Sequence, residues 1–368
     1  MGKPSSRANS NGGYLVIVYL ALIAGALFLS TRNLNYANDP WIFAIPNLLL
    51  MTPFCDATAY FYKKFVKYDN VVKIPQHIPE LIYDGEFSFE DLRTATNNFR
   101  TPAIVRGLVS DTHALKRWTK DGYLKHKLGN FTIPVVRNAA GYDHSDRMTS
   151  RFDYVIDEIL TDKFSTKYLL FPINSRVAMV GADVGRTSNL RDTVNQLMRD
   201  DLDLDRIWRG FGTHEGHFDF RGSQLVVGRG SNSSAKSIGS SWHCEAGNNW
   251  FVQVAGMKRW YFLDQKYSAY MQPRREGLSS MSASAEMMEL EKYLPRTYVD
   301  VRAGDMVYTP DWTWHTIKNY AGISIGAPIR EFNVTLSTRN NLHCSIIALI
   351  NNKLDQLFGI HNGFKYSG

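Results

Sequence analysis

The residues best able to do chemistry sit in one short run, Trp242-His243-Cys244-Glu245. In a β-strand, residues i and i+2 project to one face, so His243 and Glu245 can point together while Cys244 faces the other way. An imidazole and a carboxylate spaced this way make two corners of a metal site, and the third must come from a distant strand. His315 is the best candidate: Gly304-Asp305 makes a turn, and Pro310, His315 and Asn319 follow it. Two histidines and one carboxylate leave about three open positions on an octahedral iron, which is room for a bidentate cosubstrate and dioxygen. His214 and His217 form a second pair, His-x-x-His, but no carboxylate or cysteine is clearly placed to complete a site there. His343 and His361 lie near helical segments and read as ordinary surface or core residues. The three cysteines, Cys55, Cys244 and Cys344, cannot build a disulfide framework or a thiolate zinc site.

The elements that must position these residues are mostly strands. From about residue 222 the sequence runs SQLVVGRG, NWFVQVAG, KRWYFLDQ, TYVDVRAG, DMVYTP, HTIKNY, GISIGAPI and EFNVTLS. These are short β-branched or aromatic runs punctuated by Gly, Pro, Asn and Asp, the cadence of an antiparallel jelly-roll or barrel. Residues 274 to 293 interrupt it with a Ser-rich loop and then a short amphipathic helix carrying Met287, Met288 and Leu290. That insertion reads equally as a surface excursion or as a lid over the barrel mouth. Upstream, residues 85 to 127 are mixed and largely helical. Ser88 followed by Glu90, Asp91 and Leu92 marks a helix start, and Asp111 to Trp118 a second short helix. DTVNQLMRDDLDLDRIW, within 150 to 210, has helical spacing. After His343, apolar residues again recur at helical spacing, which predicts a helix packed on the domain or paired with a second copy of the chain.

A chain of 368 residues can be filled by one large barrel domain with extensions. Hydrophobic residues at 44% and charged residues at 21% are ordinary for a packed globular protein, which argues against long disordered stretches. The net charge of +7 is scattered with no dense basic run, so no nucleic-acid partner is expected.

Residues 13 to 30, GYLVIVYLALIAGALFLS, carry no charge, and at 1.5 Å per residue they extend about 27 Å, enough for a hydrocarbon core. Ala24-Gly25-Ala26 is a small-residue triplet of the kind at which leaders are cleaved, but the apolar run continues through Leu27, Phe28 and Leu29. An uncleaved anchor therefore fits better than a cleaved leader. Residues 40 to 54, broken by Pro46, are an interfacial segment, half of a hairpin, or a greasy element docked on the domain. With Lys3 and Arg7 ahead of it, a single span sends the domain to the lumen and a hairpin returns it to the cytosol. Both topologies stay open. Asn130, Asn232 and Asn333 each begin an Asn-x-Ser/Thr triplet, and Met-Gly-Lys-Pro-Ser-Ser loosely fits a myristoylation pattern.

A further set of residues adds a resemblance. Thr101-Pro102-Ala103-Ile104-Val105-Arg106-Gly107 leads toward Trp118 and Leu124. His243-Cys244-Glu245 is followed by Asn249 and then by Gly256-Met257-Lys258-Arg259-Trp260, and Gly304 to Asn319 closes the pattern. From about Phe99 to Leu336 the chain resembles the JmjC and cupin-like branch of the Fe(II)- and 2-oxoglutarate-dependent oxygenases, which includes the asparaginyl hydroxylase acting on hypoxia-inducible factor. The resemblance implies a lysine fifteen residues after the first ligand, at Lys258, paired with the distal carboxylate of 2-oxoglutarate. It implies help from Asn249 and from a hydroxyl three residues before the first histidine, here Ser240 where relatives carry Thr. Many relatives use Asp where this chain has Glu245, although the histone-demethylase relatives use Glu. Trp312 stands where the second motif usually has Gly, and no substrate-binding motif matches.

The expected fold is mainly β with helical extensions: a double-stranded β-helix (jelly-roll or cupin) core plus an N-terminal transmembrane helix. Residues 1–35 form the cytosolic tail and anchor, 36–84 a membrane-proximal segment, 85–340 the oxygenase domain and 341–368 a C-terminal helix. The expected ligands are His243, Glu245 and His315. The implied activity is a membrane-anchored dioxygenase using Fe(II), 2-oxoglutarate and dioxygen to hydroxylate, or demethylate, a protein side chain or a small molecule. The rival is a non-catalytic cupin-like membrane receptor or scaffold.

Overall fold

A computed structural model describes residues 76–139, 146–170, 184–203, 207, 219–230, 238–263, 271, 274–275, 280–283 and 296–332, apart from 87, 246 and 321. Two short strands come first, β1 (Gln76–His77) and β2 (Glu80–Ile82). Helix α1 (Phe89–Ala95) starts as its sequence predicts: Ser88 Oγ accepts the Asp91 amide at 3.0 Å, and Glu90 and Asp91 fill the first turn. There they satisfy an orphan donor and complement the helix dipole. Next come β3 (Ala103–Arg106), α2 (His113–Arg117), α3 (Tyr123–Leu128), β4 (Thr132–Val136), β5 (Arg147–Arg151), α4 (Phe152–Thr161), β6 (Tyr168–Leu170) and α5 (Val184–Leu202). The described remainder is mostly strand: β7 (Asp219–Ser223), β8 (Val226–Gly230), β9 (Gly239–Glu245), β10 (Asn248–Ala255), β11 (Met257–Leu263), β12 (Arg274–Arg275), β13 (Ser280–Ser282), β14 (Arg296–Arg302), β15 (Met306–Thr309), β16 (Trp314–Asn319) and β17 (Gly322–Phe332).

These strands make two sheets. One is seven-stranded in the order β1-β14-β11-β16-β9-β13-β12; the other is ten-stranded in the order β2-β3-β15-β10-β17-β8-β6-β4-β5, with β7 also on β17. Alternation along the strands decides what each face meets. On β10 and β15, Phe251 and Val307 join Trp260, Phe262, Val299 and Val301 of the seven-stranded sheet in one buried cluster, so this cluster lies between the sheets. Their sequence neighbours Trp250, Val252, Met306 and Tyr308 point the other way, into a core shared with Leu92, Leu124, Phe152, Ile156, Met198 and Leu202 of the helices. The order is therefore helices, large sheet, small sheet. A strand covered on both faces has no solvent side, and β10 is buried at every residue.

Two local features fix the strands that matter for chemistry. Gly256, at φ 72°, turns the chain from β10 into β11, and a Cβ there would lie 2.1 Å from the Ile323 carbonyl oxygen. Only glycine fits that approach in that conformation. Asp305 accepts from the Arg302 amide at 3.0 Å and the Gly107 amide at 3.1 Å, and pairs with Arg106 at 2.8 Å. The Gly304-Asp305 turn thereby ties β14, β15 and β3 together. It contributes support to the site and no ligand.

Some expectations change. GISIGAPI and EFNVTLS were expected as separate strands, but β17 runs unbroken through Arg330. Its charge faces inward and does not end the strand. Within the Ser-rich insertion, β12 and β13 pair as a small hairpin, and β13 extends the small sheet beside β9. A loop was expected there; the succeeding helix lies outside the described residues. Strand β4 and most of β5 form between the two stretches whose sequence suggested a helical mixture, and β6 forms within the second. β1 and β2, upstream of residue 85, are built into the sheets. Among the described residues no helix is long and apolar enough to cross a membrane. Residues 13–30 and 40–54, His214, His217, Asn232, Asn333 and the expected C-terminal helix lie outside the described residues.

Candidate metal centre

Strands β9 and β16 are antiparallel neighbours, and their register sets His243 directly opposite His315. The two imidazole centroids are 4.2 Å apart. Each ring is oriented by its own strand: His243 Nδ1 lies 2.8 Å from the Ser241 carbonyl oxygen, and His315 Nδ1 lies 2.8 Å from that of Thr313. A carbonyl oxygen can only accept, so both Nδ1 atoms carry the proton. In a neutral ring so tied, Nε2 keeps the lone pair, the tautomer a metal ligand needs. His315 Nε2 is buried and has no hydrogen-bond partner. Burial first, and then the neighbouring His243 and Arg330, push His315 well below the usual imidazole range, so the ring is neutral. Trp260 stacks on it with centroids 5.4 Å apart and fixes its plane.

Glu245 lies two residues beyond His243 on β9 and shares its face. Its carboxylate is paired with the guanidinium of Arg330, a largely buried side chain of β17. Among the described residues, no three His, Cys, Asp or Glu side chains converge closely enough to hold a metal as they stand. The two imidazoles offer nitrogen donors on one face, and Glu245 lies on that face with its carboxylate turned to Arg330.

Ser240 raises a parity problem, since residues three apart on a regular strand face opposite ways. The structure resolves it with a bulge. Ile317 pairs with Ser240 while His315 pairs with His243, so β9 spends one more residue than β16 over this stretch. Ser240 therefore shares the interior side with His243, and its Oγ is buried without a partner. Asn249 stands in register with Thr309 of β15 and Arg330 of β17. Asn249 Oδ1, Thr309 Oγ1 and Arg330 Nε are also buried without partners. Buried polar atoms are nearly always hydrogen-bonded, so such a concentration on one interior face is the signature of a polar ligand's seat.

Lys258 is 1% exposed on β11, opposite Asn319 of β16. Its ammonium donates to Asn319 Oδ1 at 2.6 Å and lies 5.7 Å from the ring centroids of both Tyr168 and Phe251. Those groups are neutral, and burial pulls the Lys258 pKa down from 10.5 to about 7. A buried cation among neutral partners is costly until an anion arrives. In register, Lys258 lies four residues along β11 from Phe262, the partner of His315, which is about 13 Å of strand. The lysine and imidazole side chains close part of that span from its two ends.

Behind the large sheet lies a second polar group. Trp250 Nε1 donates to Glu331 Oε2 at 2.7 Å, and Asn248 Oδ1 accepts from Tyr308 Oη at 2.9 Å and the Asp311 amide at 3.2 Å. Burial pushes Glu331 up to about 8 and Asp311 well above the carboxylate range. Next to Asp311, Trp312 adopts φ 57° and gives its amide to the Glu245 carbonyl oxygen at 2.7 Å. The position where relatives usually carry Gly thus keeps the left-handed backbone that explains the Gly.

All six residues expected at the site, Ser240, His243, Glu245, Asn249, Lys258 and His315, are placed on strands around the one interior. Sequence reasoning missed Arg330, Thr309 and Tyr168 and treated Asn319 only as a spacing marker. An arginine interrupting an otherwise apolar strand was the available signal for Arg330. No curated protein matches the chain. The family model described as the cupin-like domain matches residues 91–337, a stretch that holds both site strands, the lysine strand and the supporting turn; the chain belongs to that JmjC-related cupin-like family.

Proposed function

We propose that the chain is an Fe(II)- and 2-oxoglutarate-dependent oxygenase that hydroxylates, or by attack on an N-methyl group demethylates, a protein side chain or a small molecule. One observation carries this reading: two facing imidazoles, each with Nδ1 tied to backbone, with a buried and unpartnered Nε2 on His315. His243 and His315 would hold iron through Nε2, and Glu245 through its carboxylate. Lys258 and Asn319 would take the distal carboxylate of 2-oxoglutarate, and Ser240, Asn249 and Thr309 would orient its body. Iron bound there with 2-oxoglutarate and dioxygen supplies oxidation of a substrate C–H bond, coupled to release of succinate and carbon dioxide. Trp260, Phe251 and Phe262 keep water from the seat. The apolar segment 13–30 would hold the domain at a membrane, and a second copy of the chain could pair through the C-terminal helix.

The test is direct. Protein loaded with Fe(II) without air, then given dioxygen, should convert 2-oxoglutarate to succinate slowly even without substrate. His243→Ala should abolish both that turnover and Fe(II) binding. Undetectable succinate, with Fe(II) binding that survives His243→Ala, would sink the reading. The Glu245–Arg330 ion pair favours one rival, a cupin-like receptor or scaffold without catalysis, and the same experiment separates the two.

A further inference from the structure

Glu245 faces two claims. As a ligand it must turn its carboxylate to the metal between His243 and His315; in the structure that carboxylate is paired with Arg330. Arg330 is not an incidental surface cation. Its side chain is 14% exposed, its backbone is held between β10 and β7, and its register partner on β10 is Asn249. Its Nε is buried without a partner, so part of the guanidinium fork still lacks an acceptor. A guanidinium fork matches a carboxylate with two parallel hydrogen bonds. Removing Glu245 from it would leave a desolvated cation in register with Asn249, on the face that carries the other unpartnered polar atoms.

We infer that Arg330 exchanges carboxylates: it holds Glu245 until a metal takes that group, and then holds a carboxylate of 2-oxoglutarate at the metal end of the seat. The inference rests on the oxygenase reading and specifies it. Lys258 and Arg330 then clamp the dicarboxylate from its two ends. No bond other than ionic contacts and metal coordination changes, and no proton need move.

The experiment is a double-mutant cycle read by Mn(II) and Co(II) binding without air, using calorimetry and the visible Co(II) bands. Arg330→Met removes the competitor and should tighten metal binding about tenfold. In a Glu245→Gln background, which has no carboxylate to release, the same change should leave metal affinity unmoved. At saturating Mn(II), 2-oxoglutarate should bind about tenfold more weakly to Arg330→Met than to wild type, with Arg330→Lys recovering part of the loss. The Glu245→Gln/Arg330→Met pair removes both charges together and guards against a variant that fails to fold. Weaker metal binding in Arg330→Met, equal tightening in both backgrounds, or an unchanged 2-oxoglutarate affinity would each overturn the exchange. A wild type that binds Mn(II) normally with any of those results refutes only the exchange, whereas a wild type blind to Mn(II), Co(II) and Fe(II) refutes the oxygenase reading and the exchange with it.

Discussion

Replacing Lys258 by Met should make the protein more stable and unable to bind its cosubstrate. The ammonium is 1% exposed and its pKa falls from 10.5 to about 7. At about 1.4 kcal/mol per pKa unit, burial disfavours the charged form by on the order of 5 kcal/mol. Losing the contact to Asn319 costs about 1.5–3 kcal/mol. The balance is a stabilisation of about 2 kcal/mol for Lys258→Met at pH 7 without 2-oxoglutarate, comparable to other swaps of buried charge for an apolar side chain. For a domain of this size that is a rise in Tm of about 4–8 °C. The pH dependence has a definite sign. Between pH 7 and 10.5 the unfolded chain holds this proton and the folded protein has lost it, so raising pH stabilises the wild type. The advantage of the variant should therefore shrink by about 1.4 kcal/mol per pH unit, vanish at about pH 8.5 and reverse above it. Thermal melts across that range, with and without Mn(II) and 2-oxoglutarate, measure both effects. A variant less stable than wild type at pH 7 by a margin independent of pH would refute the argument from burial. Retained stabilisation by 2-oxoglutarate would remove Lys258 from the binding site.

Glu331→Gln keeps an acceptor for Trp250 but cannot ionise. The wild-type carboxyl stays protonated in the fold until about pH 8, so its stabilising contribution is complete below 4.5 and is lost as pH rises through 8. Urea melts should show the variant gaining on wild type by on the order of 5 kcal/mol over that range, and parallel curves would contradict it. At Trp312, Gly should be better tolerated than Ala by about 1 kcal/mol, because Ala retains the cost of the φ 57° backbone while both lose the indole; Ala equal to Gly would show that the backbone relaxes. Asn130 is exposed just before β4, so a lumenal domain should carry a glycan there, seen as an endoglycosidase-sensitive band in microsomes that Asn130→Gln abolishes. Absence of the band, with protease sensitivity in sealed vesicles, places the domain in the cytosol.

Much of the site was legible because it depends on short-range periodicity. His243 and Glu245 obey the two-residue repeat of a strand, and Ser88 announces its helix. Runs such as NWFVQVAG and KRWYFLDQ carry the β-branched and aromatic residues that strands favour. Lys258 came from an offset supplied by the resemblance. What stayed hidden is set by pairing between distant strands. Nothing local to Arg330 says that it meets Glu245, and its charge made β17 look like two strands. Strands β4 to β6 are short and interleaved with helices, and their pattern is ambiguous until β8 is present to pair with β6. β13 owes its strand to the exposed edge of β9, which a Ser-rich stretch can complete through its backbone alone.

The bulge in β9 divides the site into two reading frames. His243 and Glu245 lie in one, kept in phase by simple alternation, and Ser240 and Gly239 lie in the other, held a residue out of step. Deleting Ser241 or Trp242 would remove the bulge and bring the strand back into step: Ser240 would then lie two residues before His243, still on its face by simple alternation but without the kink and added twist of the bulge. Point substitutions within either frame keep the phase of both. The metal half and the cosubstrate half of this strand can therefore change side chains independently, and only a change in length couples them.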